Sequence, residues 1–389
     1  MVGTPTRQEE EGPVDLPRGK VLGRRWRIKE KLGEGGCGAV YKVVDIRTGI
    51  SAALKAESNF VAGGPVLKLE VQILRRVKGR KHVTQLLHSG KKEKYSYMVM
   101  TLLGDSLQKL TSGKISTVST QVRVGVQILY GIKQLHEVGY IHRDIKPANL
   151  AIGLRGRETH IIHLLDFGLA REYVLRKDNK VEMRHPRTDT LFRGTTRYCS
   201  ANTHTRNEQG RPDDLWSLIY VIVELRGALP WERLTDKKEI GKAKLATSDR
   251  RLMMNCPVQM LDIATHLRTL DYYTRPDYLL IYKKFEEVMK AGGFKHSDPF
   301  DWEKPGAAST LTRKLRRTLS ISEEVPSEKE NQNIEQASQD QTLVSEDCGD
   351  TTGTKKGKKT TDNDVTGKDK DPNADLYSAA DFEKNEIGF

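Results

Sequence analysis

The polar run His142-Arg143-Asp144-Ile145-Lys146-Pro147-Ala148-Asn149 lies between apolar segments, and Leu164-Leu165-Asp166-Phe167-Gly168 follows it closely. These residue types suit the transfer of a phosphoryl group. Asp144 can accept a hydroxyl proton, Lys146 can sit on the transferring group, and Asn149 and Asp166 can hold a metal ion such as Mg2+. Such a reaction asks little covalent chemistry of the protein, so rate comes from positioning and charge neutralisation. Upstream, Gly33-Glu34-Gly35-Gly36-Cys37-Gly38-Ala39-Val40 reads G-x-G-x-x-G-x-V, and its glycines let backbone amides close over phosphates. Taken alone, the motif reads more readily as a Gly-rich hairpin turn. A strand after it argues against a dinucleotide-binding turn, and the lack of G-K-[ST] argues against a P-loop.

Two further residues extend the pattern. In Ser51-Ala52-Ala53-Leu54-Lys55, alternation places Ala53 and Lys55 on one face, a small residue for a flat base beside a cation for phosphates. An exposed edge-strand lysine is the plainer alternative. Glu70, however, falls on the apolar stripe Val66, Ile73, Leu74 and Val77, and an inward carboxylate needs a cation. Lys55 is the candidate partner.

The elements that must hold these residues divide the chain. From Trp26 to about Val99, short β-type runs recur (Arg25 to Leu32, Ala39 to Ile46, Ser51 to Glu57, Tyr97 to Met100) around one helix near Val66 to Val77. From Ser106 to about Gly293 the pattern is helical, as in Gln121 to His136, with a β insertion from Leu150 to Leu165. The expected architecture is α+β, a small antiparallel β lobe with one helix (about 21–103) and a larger helical lobe (about 104–293). Residues 1–20 read as a disordered leader. Residues 304–389, Ser/Thr-rich and nearly without aromatics, read as a disordered tail.

Of 389 residues, 37% are hydrophobic, enough for a sizeable core. The net charge is +13, but from Lys304 onward 13 basic residues face 17 acidic ones, so a strongly basic body carries an acidic tail. Such a body attracts anionic partners. Four scattered cysteines indicate neither a disulfide framework nor a zinc site, Val2 removes a myristoylation signal, and Leu215 to Leu225 is too short for a membrane span. A cytoplasmic location follows, with Lys355-Lys356-Gly357-Lys358-Lys359 as a candidate nuclear address.

Taken in order, these motifs resemble the eukaryotic protein kinases over about Trp26 to Gly293. The resemblance implies a two-lobed fold and Mg-ATP as donor, in a cleft lined by Leu32, Gly33, Gly35, Gly38, Val40, Ala53, Lys55, Met100, Thr101 and Leu103. It further implies that Lys55 pairs with Glu70, that Asp144 is the base, and that Lys146 meets the γ-phosphate. Asn149 and Asp166 would bind Mg2+, and Asp214 would anchor the catalytic loop. Lys146 marks the Ser/Thr type. The segment Gly194-Thr195-Thr196-Arg197-Tyr198-Cys199-Ser200-Ala201-Asn202 is similar to the Ser-Ile-Asn ending of the casein kinase I group. The stretches around Asp214, Trp231 and the Met98 to Gly104 hinge look most like the tau-tubulin kinase branch. Departures are Ala148, Leu150, Ala201 and Arg275, none of which removes a catalytic group.

From Arg171 to Arg197, eight basic residues face four acids. A solvated loop is one reading. The other is that Arg197, with Lys237 or Lys238, binds an acidic or phosphorylated group on the substrate. The resemblance suggests intrinsic activity, with Thr195 bracing Asp144 and Lys146. Ser320, with Arg316 and Arg317 before it, resembles a basophilic phosphorylation site, and the acidic tail is a candidate autoinhibitor of the basic cleft. The expected partners are protein substrates, acidic, phospho-primed or cytoskeletal, met by a monomer. The alternative is a pseudokinase or scaffold on acidic protein surfaces. A nucleic-acid binder would need interleaved aromatics or a binding motif, and neither is present.

Overall fold

The computed structural model describes residues 14–35, 38–61, 64, 66–178, 180–303 and 377–388. Its first part is an antiparallel sheet of β1 (Val21–Leu22), β2 (Trp26–Gly35), β3 (Gly38–Asp45), β4 (Ser51–Ser58), β5 (Leu86–Lys91) and β6 (Tyr95–Thr101). The strand order is β1-β2-β3-β4-β6-β5. Strict alternation in β3 buries Ala39, Tyr41, Val43 and Asp45 on one face, where Trp26, Leu54 and Val99 complete a separate small core. Helix α1 (Leu67–Arg76) enters between β4 and β5 and buries Leu67, Glu70, Ile73 and Leu74.

The second part begins with α2 (Leu107–Thr111) and α3 (Val118–His136), whose N-caps Ser106 and Thr117 accept from backbone amides. Nearly every residue of α3 is buried, because it forms the central post of this lobe. Short strands β7 (Tyr140–Ile141), β8 (Leu150–Ile152), β9 (Ile162–Leu164), β10 (Arg171–Glu172), β11 (Val174–Lys177) and β12 (Lys180–Met183) then carry the polar motifs. They pair as β7 with β10, β8 with β9 and β11 with β12. Helices α4 (Ala201–His204), α5 (Arg211–Glu224), α6 (Lys237–Ala246), α7 (Asp249–Leu252), α8 (Met260–Arg268) and α9 (Tyr278–Gly292) follow, with α5 and α9 against α3. The chain thus has the expected two-lobed architecture.

Two expectations about order need correction. The leader is not structureless from residue 14 onward. Leu16 is buried on the sheet, its amide donates to the Tyr41 hydroxyl at 3.1 Å, and that hydroxyl donates to Val14 O at 2.7 Å. Nor does the tail stay apart from the body to its end. Residues 377–388 form α10 (Ala379–Glu383) and bury Tyr377, Phe382 and Ile387 against the helical lobe. The aromatic ring of Phe382 supplies the apolar area that the rest of the tail lacks. Residues 1–13, Ser320, the Lys355 to Lys359 run and the rest of the stretch 304–376 lie outside the described residues. Among the described residues, no helix is long and apolar enough to cross a membrane.

Candidate active site

The hairpin of β2 and β3 roofs a cleft of about 450 Å³ between the lobes. All ten residues expected to hold the nucleotide line it. Gly38 sits at φ +103°, and a Cβ there would lie 2.2 Å from Ala56 O, so no other residue fits this turn. In β4, Ala53 pairs with Met100 and Lys55 with Met98. At the hinge Leu103 has no intramolecular backbone partner among the described residues, leaving an N–H and a C=O for a planar base.

Lys55 Nζ lies 2.6 Å from Glu70 Oε1 and 3.2 Å from Asp166 Oδ1. Glu57, from the same strand, accepts from Leu67 N at 2.7 Å and Val66 N at 3.2 Å, which fixes the start of α1 and so aims Glu70 at Lys55. The sequence reading missed Glu57, because a buried acid at a strand end carries no pattern of its own. Burial lifts the Glu70 carboxyl to about 7, against the pull of Lys55. Burial also pushes Asp166 up, but the Lys55 charge and hydrogen bond outweigh it and hold this carboxyl below its usual range.

The catalytic loop hangs from one buried carboxylate. Asp214 accepts from His142 N at 2.7 Å, Arg143 N at 2.8 Å and His136 Nε2 at 2.9 Å. Burial favours its protonated form, yet the His136 hydrogen bond and the loop amide hold it below the ordinary carboxylate range. His136, another residue missed in the sequence, is kept neutral by burial, so its Nδ1 accepts from the Tyr278 hydroxyl at 2.7 Å. Arg143 (φ +66°) and Asp166 (φ +59°) take left-handed backbone conformations rare for such residues, and both belong to the polar motifs.

Asp144 is ringed by donors. Thr195 Oγ1 donates to Oδ1 at 2.7 Å and Thr195 N at 2.9 Å, while Lys146 Nζ lies 2.7 Å from Oδ2 and Asn149 Nδ2 3.2 Å. Lys146 also donates to Thr195 Oγ1 at 3.0 Å. The amide nitrogen of Asn149 is thereby committed to Asp144, which leaves its oxygen for the cleft beside Asp166. Two hard oxygen donors with room for phosphate and water oxygens suit magnesium.

The expected anion site is different. Arg197 Nε donates to Glu224 Oε1 at 2.6 Å and its Nη2 to Glu232 Oε1 at 2.9 Å, so its charge is already met within the chain. Lys237 stacks over the Phe192 ring at 3.4 Å, and Lys238 is exposed at the start of α6. The structure therefore does not gather the three into one free cationic site. The Ser200-Ala201-Asn202 turn instead locks onto buried Asp213, which accepts from Ser200 Oγ, Asn202 Nδ2 and Gly210 N. Buried Lys244 donates to Thr196 O at 2.7 Å and Cys199 O at 2.5 Å.

The sequence that builds this site has counterparts among known proteins. The family model of the protein kinase domain matches residues 26–284. The chain is a protein kinase. Over 296 residues it is 50% identical to a Caenorhabditis elegans protein named "putative serine/threonine-protein kinase", covering 75% of this chain and 86% of that one. It is 37% identical to a "probable serine/threonine-protein kinase" of Dictyostelium discoideum over 295 residues, 75% of this chain and 59% of the relative. It is also 42% identical to an "inactive tau-tubulin kinase" of C. elegans over 233 residues, 57% of this chain and 80% of that protein. The kinase is thus of the serine/threonine type, and its substrates are proteins.

Proposed function

We propose that this kinase transfers the γ-phosphoryl group of Mg-ATP to Ser or Thr hydroxyls with Asp144 as catalytic base. The observation that carries the reading is the placement of Asp144, gripped by Lys146 and Thr195, beside a cleft that holds the Lys55, Glu70 and Asp166 cluster. Lys55 orients the α- and β-phosphates, and Glu70 keeps that ammonium in place. Lys146 neutralises charge on the transferring group while Asp144 draws the proton from the acceptor hydroxyl. Asn149 and Asp166 would hold magnesium, which would supply charge neutralisation to the phosphate groups.

Within the kinases, the Ser-Ala-Asn turn and the hinge support the casein kinase I group and its tau-tubulin kinase branch. Acidic, primed or cytoskeletal protein segments remain the expected acceptors of so basic a body, although Arg197 does not supply the anion contact. A scaffold role is the competing reading, since one relative is named inactive. The test is incorporation of labelled phosphate by the full chain, wild type beside Asp144→Asn, into casein and an acidic primed peptide. Transfer by wild type alone supports the reading; ATP binding without transfer supports the scaffold.

A further inference from the structure

Residues 377–388 do not touch the nucleotide cleft. They lie in a groove made by the α1–β5 connection, α3 and α9. Phe382 stacks on Tyr282 at 4.2 Å and meets Tyr130 edge-on at 5.7 Å. Lys384 O accepts from Lys133 Nζ at 2.7 Å and Arg275 at 3.0 Å. Glu386 pairs with Arg80, and its amide donates to Glu137. One end of the segment is linked through His82 to a strand that leads into the active site, and the other end packs directly on one.

At one end the Tyr377 hydroxyl lies 2.9 Å from His82 Nε2. His82 is 1% exposed, sits at φ +61°, and makes its other ring contact with Ile162 O at 2.8 Å. A carbonyl only accepts, so Nδ1 carries the proton and Nε2 of the neutral ring accepts from Tyr377. His82 O in turn accepts from Leu164 N at 2.9 Å, and Asp166 is two residues further on. At the other end Ile387 packs with Ile141, Tyr173 and Val174, and Ile141 leads directly into His142, Arg143 and Asp144.

We propose that residues 377–388 are a positioning strap of the active site. Tyr377 holds His82 and so β9 and Asp166, and Ile387 holds β7 and so Asp144. Neither residue touches substrate; both act through the strands they brace. The inference rests on the kinase reading, and it replaces inhibition by this part of the tail with support.

The experiment uses the full chain as wild type, Phe382→Ala and Tyr377→Phe. It measures kcat and KM for Mg-ATP, hydrogen exchange of residues 140–144 and 162–166, and rescue by a synthetic peptide of residues 377–388. The expected result for Phe382→Ala is a tenfold or greater loss of kcat and faster exchange in both strands. Both should be restored saturably by the peptide and not by its scrambled form. Tyr377→Phe, which keeps the ring, should lose about threefold in kcat with faster exchange confined to 162–166. Unchanged or increased kcat in a Phe382→Ala chain whose segment exchanges freely overturns the proposal, as does a loss that the peptide does not rescue. Should Phe382→Ala fail to fold, Tyr377→Phe decides by the same two readouts. A wild-type chain that transfers no phosphate overturns the kinase mechanism instead.

Discussion

Thr195 offers the sharpest test of how the catalytic carboxylate is set. Its hydroxyl donates to Asp144 Oδ1 at 2.7 Å and accepts from Lys146 Nζ at 3.0 Å. Thr195→Val keeps the branched shape and removes both contacts. A hydrogen bond to a charged group contributes about 1.5–3 kcal/mol. Oδ1 keeps the Thr195 amide at 2.9 Å, and Oδ2 keeps Lys146, so only part of that is lost. A loss of about 1.5–2 kcal/mol in the transition state corresponds to roughly 10–30-fold in kcat. KM for Mg-ATP should not change, because Thr195 does not line the nucleotide cleft. Steady-state kinetics of Thr195→Val, Thr195→Ser and Thr195→Glu separate the possibilities. Ser should remain near wild type, and Glu should lose activity. A Val variant within threefold of wild type would refute the reasoning, and a Glu variant more active than wild type would refute it and make Thr195 a switch.

Three further outcomes follow from the same geometry. Asp214→Asn turns an amide toward the Arg143 or His142 N–H, leaving a buried donor unpaired at a cost of about 2–3 kcal/mol; the unfolding midpoint should fall by about 3–5 °C, and a fall below about 1 °C in calorimetry contradicts the anchoring role. Glu70, raised by burial from 4.5 to about 7, keeps its proton longer in the native state than in the unfolded chain, so its contribution to stability falls as pH rises across that window. Protonation also deprives Lys55 of its partner, so kcat/KM for Mg-ATP should drop below about pH 7, with Glu70→Gln low and flat; an unchanged acid limb in that variant assigns the titration elsewhere. Arg197→Ala should leave the ratio of kcat/KM for primed over unprimed peptides within about twofold, because Glu224 and Glu232 already hold its charge; a tenfold drop would return Arg197 to the substrate site.

What the sequence reveals depends on how local the cause is. The glycine loop, Lys55, Asp144 and Asp166 are readable because residue type and short spacing alone state their chemistry. Helices α1 and α3 are readable from their apolar stripes. Strand β5 is not, since His88-Ser89-Gly90 breaks the alternation; Gly90 is there because a Cβ would meet the Tyr97 ring at 2.6 Å. Arg197 could not be read correctly, because its partners stand 27 and 35 residues away on other elements. The strap is hidden for a different reason. Tyr377, Phe382 and Ile387 recur at an interval of five, which fits neither a helix nor a strand, because the first two flank the Tyr130 ring and the third joins a separate cluster around Ile141.

The buried acids explain how a strongly basic body builds a catalytic centre. Glu208, 5% exposed, takes Arg187 in a two-point bond at 2.6 and 3.1 Å and Arg171 at 3.3 Å. Arg143, lowered to about 10 by burial and then by Arg171, feels Glu208 as its main opposing charge. A carboxylate of the chain itself therefore sits where these guanidinium groups converge next to the catalytic loop. That is the place and the sign of charge a phosphate would otherwise have to supply to hold such a cluster together. Asp214 does the same for the loop amides, Asp213 for the Ser-Ala-Asn turn, Glu224 for Arg197 and Tyr198, and Glu137 for Lys133 and the strap. Each of these acids, half-buried in the case of Glu224, holds one segment of the chain in place. The stretch from Arg171 to Asn202 is thus braced by charges already in the chain.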